Sequence, residues 1–235
     1  MAQRSGYGQF CPVAKASEVI AERWTPLVLR EMISGCNRFN DIHRGVPLMS
    51  KSLLSKRLRE LEHAGVIVRR EIPGEGVNGY FLTEAGESLR PIIIALGEWG
   101  QRYVRSNFTH QDLDPSLLMW DIRRLVQIRH LPKGRTVIEF EFTDQTDAQR
   151  RWWLLKEAES NEIELCLHDP GYEIDLRVRT DLESMTRVWM GDMEVPIALR
   201  SGVLKLDGSA TLRLSFQDWI GLSIFAHVEA GAAAS

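Results

Sequence analysis

Residues 49–83, MSKSLLSKRLRELEHAGVIVRREIPGEGVNGYFLT, change their hydrophobic period once and abruptly, and that change restricts the folds open to the chain. In the first half Leu54, Leu58 and Leu61 recur at helical spacing, leaving Ser52, Ser55, Lys56, Arg59 and His63 on the opposite side. Ser50 stands where an N-cap hydroxyl is wanted, and Gly65 where the helix has to end. Val66 to Ile72 and Tyr80 to Thr83 then read as two strands around a Gly-rich loop containing Asn-Gly, which makes a hairpin.

Helices are also legible upstream. Thr25 before Pro26 offers a hydroxyl N-cap followed by proline at the first helical position, and TPLVLREMISG runs on to Gly35. PVAKASEVIAERW spaces Val13, Ala16, Ile20 and Ala21 near helical intervals, and RFNDIHRGV predicts one short helix. Three helices, a basic fourth and a hairpin follow the order of a winged helix-turn-helix, whose recognition helix enters a major groove about 12 Å wide. Between Arg38 and Arg70 eight Lys and Arg stand against three Asp and Glu. An exposed basic face is ordinarily just solvated. Here the order of elements favours double-stranded DNA as partner, with Arg38, Lys51, Lys56 and Arg59 as cations and Ser52 and Ser55 as short hydrogen bonders. The cap at Ser50 turns backbone N–H groups outward toward phosphate, and the wing brings Arg69, Arg70 and Asn78 at its tip beside the backbone or minor groove.

CPVAKASEVIAERWTPLVLREM, RFNDIHRGVPLMSKSLLSKRLRELEHAGVIVRR, YFLTEAGESLRPII and LGEWG occur in this order over about residues 10–106. Together they resemble the HxlR family of bacterial winged helix-turn-helix transcriptional regulators. The resemblance implies a homodimer held partly by the helix after the wing and by the N-terminal helix, with DNA half-sites about 34 Å apart. It would account for the apolar surplus of EAGESLRPIIIALGEWGQRYVRSNF, expected to be one helix, where Leu89, Ile93, Leu96, Trp99 and Tyr103 recur at three- and four-residue intervals. Some regulators of this type sense electrophiles or oxidants through a cysteine just ahead of the first helix, the place held by Cys11. A thiol pKa lowered near a helix N-terminus would supply the reactivity. The plain alternative is a small apolar residue at the dimer seam.

Periodicity lapses around NFTHQDLDPSLL, so the expected boundary separates residues 1–110 from residues 111–235. The formal net charge of −3 divides into +4 for the first part and −7 for the second, as expected when one half has its own partner. TVIEFEF, NEIELCLHD and YEIDLRVR alternate apolar with polar residues, predicting strands with one face buried and one wet, and QRRWWLLKE predicts another. TDLESMTRVWMG predicts a helix with a capping box from Thr180 to Glu183, GVLKLDG a short strand, and FQDWIGLSIFAHV a final helix, before a disordered EAGAAAS tail. The whole chain is thus expected to be α+β. The run EIDLRVRTDLESMTRVWMGDMEVPIALRSGVLKLDG resembles sterol-carrier-protein-like domains. This implies a curved, mainly antiparallel sheet with helices over one face and an apolar tunnel for a small hydrophobic ligand. Candidate lining residues are Trp153, Leu182, Met185, Trp189, Phe216, Trp219 and Phe225, which could equally fill a core with no cavity.

Nothing in the sequence assembles a catalytic constellation, a cofactor site or a metal site. Cys11, Cys36 and Cys166 are too few and too scattered for a disulfide framework or zinc, and the six histidines include no pair at ligand spacing. GEGVNG matches G-x-G-x-x-G literally, but a strand follows it where the dinucleotide fingerprint needs a helix. No apolar run approaches the roughly 20 residues that span a bilayer, and no signal-like segment opens the chain. The expectation is a cytoplasmic protein that is not an enzyme and has no membrane partner. The competing readings are a soluble lipid carrier that uses its helical half only to dimerise, and a redox regulator working through Cys11 with a structural second domain.

Overall fold

Leu54, Leu58 and Leu61 have essentially no exposed surface and close the core of the first half together with Val28, Leu29, Ile42, Val46 and Met49. A computed structural model describes residues 6–104 and 109–229, in two compact units, Met1–Gly97 and Glu98–Ser235. The first unit contains α1 (Pro12–Ile20), α2 (Thr25–Ile33), α3 (Phe39–Arg44) and α4 (Lys51–His63). An antiparallel hairpin of β1 (Ile67–Glu71) and β2 (Asn78–Leu82) follows, then α5 (Glu84–Glu87) and α6 (Arg90–Tyr103), which runs past the division between the units. Gly65 takes a left-handed φ of 71° after α4, the conformation that glycine adopts without steric cost.

Two helix starts depart from the expectation. Helix α2 includes Thr25, its cap position is Trp24 at φ 77°, and the Thr25 hydroxyl is buried with no hydrogen-bond partner among the described residues. After the wing there are two helices where the periodicity predicted one. Thr83 caps the short α5 by accepting from Gly86 N–H at 3.2 Å, and Pro91 falls in the first turn of α6, where its missing N–H costs no helical bond. The last part of that predicted helix, residues 105–108, lies outside the described residues, as do residues 230–235 of the predicted tail.

The hairpin is tied down at two points, the middle of β2 and the residue after it. Tyr80 N–H donates to Asn37 O at 2.7 Å, and the Thr83 hydroxyl donates to Gly65 O at 2.7 Å. Beneath α4, Glu31 is fully buried, accepting from Arg30 at 2.7 and 2.9 Å, while the same guanidinium donates to Gly45 O at 2.9 Å. A methyl group on Gly45 would overlap the Glu31 carboxylate. Gly45→Ala is therefore expected to destabilise the first unit by about 2–3 kcal/mol, the usual scale of overpacking. Chemical denaturation checks this, and a loss within about 0.5 kcal/mol would show that the carboxylate moves aside freely.

The second unit builds a five-stranded sheet in the order β5-β4-β3-β6-β7 from β3 (Thr136–Phe142), β4 (Arg151–Lys156), β5 (Glu164–Cys166), β6 (Leu176–Thr180) and β7 (Lys205–Gly208). Only β3 and β6 pair in parallel. Its helices are α7 (Pro115–Leu125), α8 (Asp147–Arg150), α9 (Leu182–Met190), α10 (Val195–Ser201), α11 (Ala210–Leu214) and α12 (Phe216–Trp219). Ile138, Phe140, Phe142, Trp152, Leu154, Leu176 and Val178 point from the sheet into one core shared with α7, α9, α11 and α12. The other face of β3 is not wet, contrary to its alternating pattern. Glu139 and Glu141 are 3% and 8% exposed, because β3 is the central strand and the parallel register sets Arg177 and Arg179 beside them. Arg177 donates to Glu139 at 2.7 Å, and Arg179 lies 3.2 Å from Glu141.

Other predicted elements shift for local reasons. Helix α9 is capped by Asp181, accepting from Ser184 N–H at 2.7 Å, since Thr180 is committed to the end of β6. The strand predicted over YEIDLRVR begins only at Leu176, and the final helix is the single turn α12. Helix α7 was not expected, although Asp114 caps it through Ser116 and Leu117 N–H with Pro115 at its first position.

Candidate nucleic-acid interface

Helix α4 opens with the Ser50 hydroxyl accepting from Leu53 N–H at 3.3 Å, and Ser52 Oγ lies 3.1 Å from Ser50 Oγ. This cap fixes the first turn and leaves its remaining amides available to an anion. Lys51, Ser52, Lys56 and Arg59 are exposed, and Ser55 is half-buried. Among the described residues the Lys51, Lys56 and Arg59 side chains make no hydrogen bond or ion pair, so their charge is uncompensated. Arg57 on the same helix behaves differently. Its side chain is 6% exposed, donating to Glu60 at 2.6 Å and lying 3.4 Å from Glu22 of the turn after α1. The sequence counted Arg57 with the basic stretch; only the spacing of Glu60 three positions on hinted at the pair.

The wing sorts its residues by strand parity. Arg69 and Arg70 are consecutive and exposed, so they project from opposite faces. Arg70 lies over the Phe81 ring at 4.3 Å, whereas Arg69 makes no hydrogen bond, ion pair or ring contact among the described residues. Asn78 is not at the tip as expected: it begins β2 opposite Glu71, and residues 73–77 form the turn. The reason is that the ladder extends two residues beyond Tyr80, shortening the loop. Arg38 is exposed at the start of α3, but its guanidinium is paired with Glu75 of that turn, a partner 37 positions away that no local pattern marks.

Cys11 is half-exposed at the N-cap position of α1. The N–H of Ala14, and next that of Val13, hold its thiol below the ordinary range. Cys36 is buried beside Glu31, and burial, with a smaller contribution from Glu164, pushes the Cys166 thiol up. Along α6, Ile92, Leu96, Trp99 and Tyr103 form an exposed apolar stripe, and Phe10 ahead of α1 is almost wholly exposed.

The expected ligand-lining residues divide. Leu182, Met185, Phe216 and Trp219 meet in the core under the sheet, with Trp189 packed against them. They are 0–1% exposed, so they fill that space rather than rim an opening. Trp153 belongs to the other face, clustered with Val137 and Leu155, because strand alternation sends Trp152 to the core instead. Phe225 is half-buried in the segment after α12. Among the described residues no His, Cys, Asp and Glu groups gather to hold a metal ion, and no helix is long and apolar enough to cross a membrane.

Three short helices, a capped basic helix and a two-stranded wing define the first unit as a winged helix-turn-helix. The HxlR-like helix-turn-helix family model matches residues 19–108. The chain is 34% identical over 102 residues to the uncharacterized HTH-type transcriptional regulator YvaP of Bacillus subtilis, an alignment covering 43% of this chain and 94% of that one. An HTH-type transcriptional regulator of Methanothermobacter thermautotrophicus is 40% identical over 94 residues, covering 40% and 72%. The solved structure of the redox regulator HypR in its reduced form is 35% identical, covers 39% of this chain and 91% of its own, and superposes with a TM-score of 0.36. The protein belongs to the HxlR-like helix-turn-helix family.

Proposed function

We propose that the protein is a homodimeric transcriptional regulator that binds double-stranded DNA through α4 and the wing, and whose second unit, resembling sterol-carrier-protein-like domains, senses a small hydrophobic ligand. One observation carries the DNA reading: Lys51, Lys56 and Arg59 stand exposed and uncompensated beside a Ser50-capped first turn. The likeness to YvaP, an uncharacterized HTH-type transcriptional regulator covered almost end to end, supports it. The apolar stripe of α6 supports the dimer, since Ile92, Leu96, Trp99 and Tyr103 would cover one another across a two-fold axis. For the second unit the support is the order β6, α9, α10, β7, the order of the resemblance. A ligand there changes DNA affinity only to the extent that it binds the DNA-competent and incompetent arrangements differently.

Titration of the full chain with duplex DNA tests the reading and separates it from a lipid carrier. With about four to six phosphates neutralised, log affinity is expected to fall against log salt with a slope of about −4 to −5. Binding that is absent, or insensitive to salt, would sink the DNA assignment.

The thiol at the head of α1 favours a second reading, in which Cys11 makes the regulator redox-responsive. A lowered pKa means that more thiolate is present near neutral pH, so iodoacetamide is expected to alkylate Cys11 first, then Cys166, and buried Cys36 last. The Cys11 rate should reach half its plateau below the ordinary thiol range. Peptide mass spectrometry reads the order; equal rates at Cys11 and Cys166 would remove this reading.

A further inference from the structure

A groove of ≈ 340 Å³ runs between α1 and α4 within the first unit, with Glu18 and Val19 on one wall and Lys56, Arg59, His63 and Ala64 on the other. Its size falls near the lower end for small-molecule sites. Leu61 and the stems of the two cations make much of the surface hydrocarbon. The charges around it fall into two groups. The acids are already served: Glu18 accepts from Lys15 at 3.1 and 3.2 Å and from Tyr7 N–H at 2.9 Å, and Glu60 accepts from Arg57 at 2.6 Å. Lys15 first, and the Tyr7 amide second, keep the Glu18 carboxyl below its usual range. Lys56, Arg59 and His63, by contrast, make no hydrogen bond or ion pair among the described residues. An apolar trough rimmed by uncompensated cations is complementary to a negative group carried on a hydrocarbon body.

We propose that this groove binds a small organic anion of the arylcarboxylate class, its carboxylate between Lys56 and Arg59 and its ring against Val19, Leu61 and Ala64. Lys56 and Arg59 sit one turn apart on α4, a spacing that lets both side chains reach one carboxylate. These are also the cations assigned to the duplex, so anion and DNA compete. The competition rests on the DNA reading, whereas the site itself does not.

The site is tested without DNA by calorimetric titration of the full chain with 1-naphthoate and with 1-naphthylmethanol. The carboxylate is expected to bind about tenfold more tightly than the alcohol, and Ala64→Trp and Lys56→Gln should each weaken it about tenfold. Equal affinity for acid and alcohol, or unchanged naphthoate affinity in either variant, overturns the site. In a second arm, saturating naphthoate is expected to lower duplex affinity about tenfold in the natural protein and not in Ala64→Trp. Naphthoate bound in the groove with duplex affinity unaltered overturns the competition. If the ligand-free protein binds no duplex, the DNA reading fails, while the calorimetry still decides the groove.

Discussion

Replacing Lys56 and Arg59 together by alanine is expected to weaken duplex binding about 10- to 100-fold at fixed salt and to flatten the salt slope by about 2 units. Both side chains are exposed, so no hydrogen bond or ion pair among the described residues is lost with them, and alanine is the better helix former. The effect should therefore appear in binding and leave thermal unfolding almost unchanged. Arg57→Ala supplies the contrast. That guanidinium is nearly buried against Glu60 and Glu22, so its removal breaks both ion pairs and should lower stability before it alters any DNA contact. Gel-shift titration beside a melting curve separates the two classes. Duplex affinity unchanged in the Lys56/Arg59 double variant would mean that DNA meets another surface.

Trp219→Ala is expected to cost the second unit about 3–5 kcal/mol. The indole is fully buried, donates from Nε1 to Leu212 O at 2.9 Å, and meets the Phe216 ring edge-on at 5.0 Å between centroids. Its loss leaves both a void and an unserved carbonyl in a layer whose neighbours, Met185 and Leu182, have no open space to relax into. Added indole should restore part of the loss, since an apolar cavity of this kind accepts a ring of matching shape. Denaturant titration monitored within the second unit gives the number. A cost under about 1 kcal/mol would show that the layer is loose enough to admit a ligand without any substitution.

Legibility in the sequence followed the distance over which each constraint acts. Helix α4 was readable because its determinants are local: the cap at Ser50, leucines at 54, 58 and 61, and a stop at Gly65. The hairpin was readable for the same reason, to within two residues at its turn. What escaped were pairings set by the fold. Arg57 turned inward because Glu22 waits after α1, Arg38 was taken by Glu75, and Glu139 and Glu141 were covered because β6 crosses over to lie parallel to β3. Competition between neighbours explains the rest: Asp181 displaced Thr180 as the cap of α9 because the strand kept the threonine. Strand parity alone would have assigned Trp153 to the face opposite Phe140, had its partner strand been known.

The hairpin's two moorings, Tyr80 to Asn37 and Thr83 to Gly65, set how far it can adapt. The turn at its far end is held in addition by the Arg38–Glu75 pair, and the stem bearing Arg69 and Arg70 keeps a constant offset from the leucine helix. Such a part works as a ruler: it favours duplexes whose groove widths already match the built-in span, and sequence preference then comes partly from the stiffness of the double helix itself.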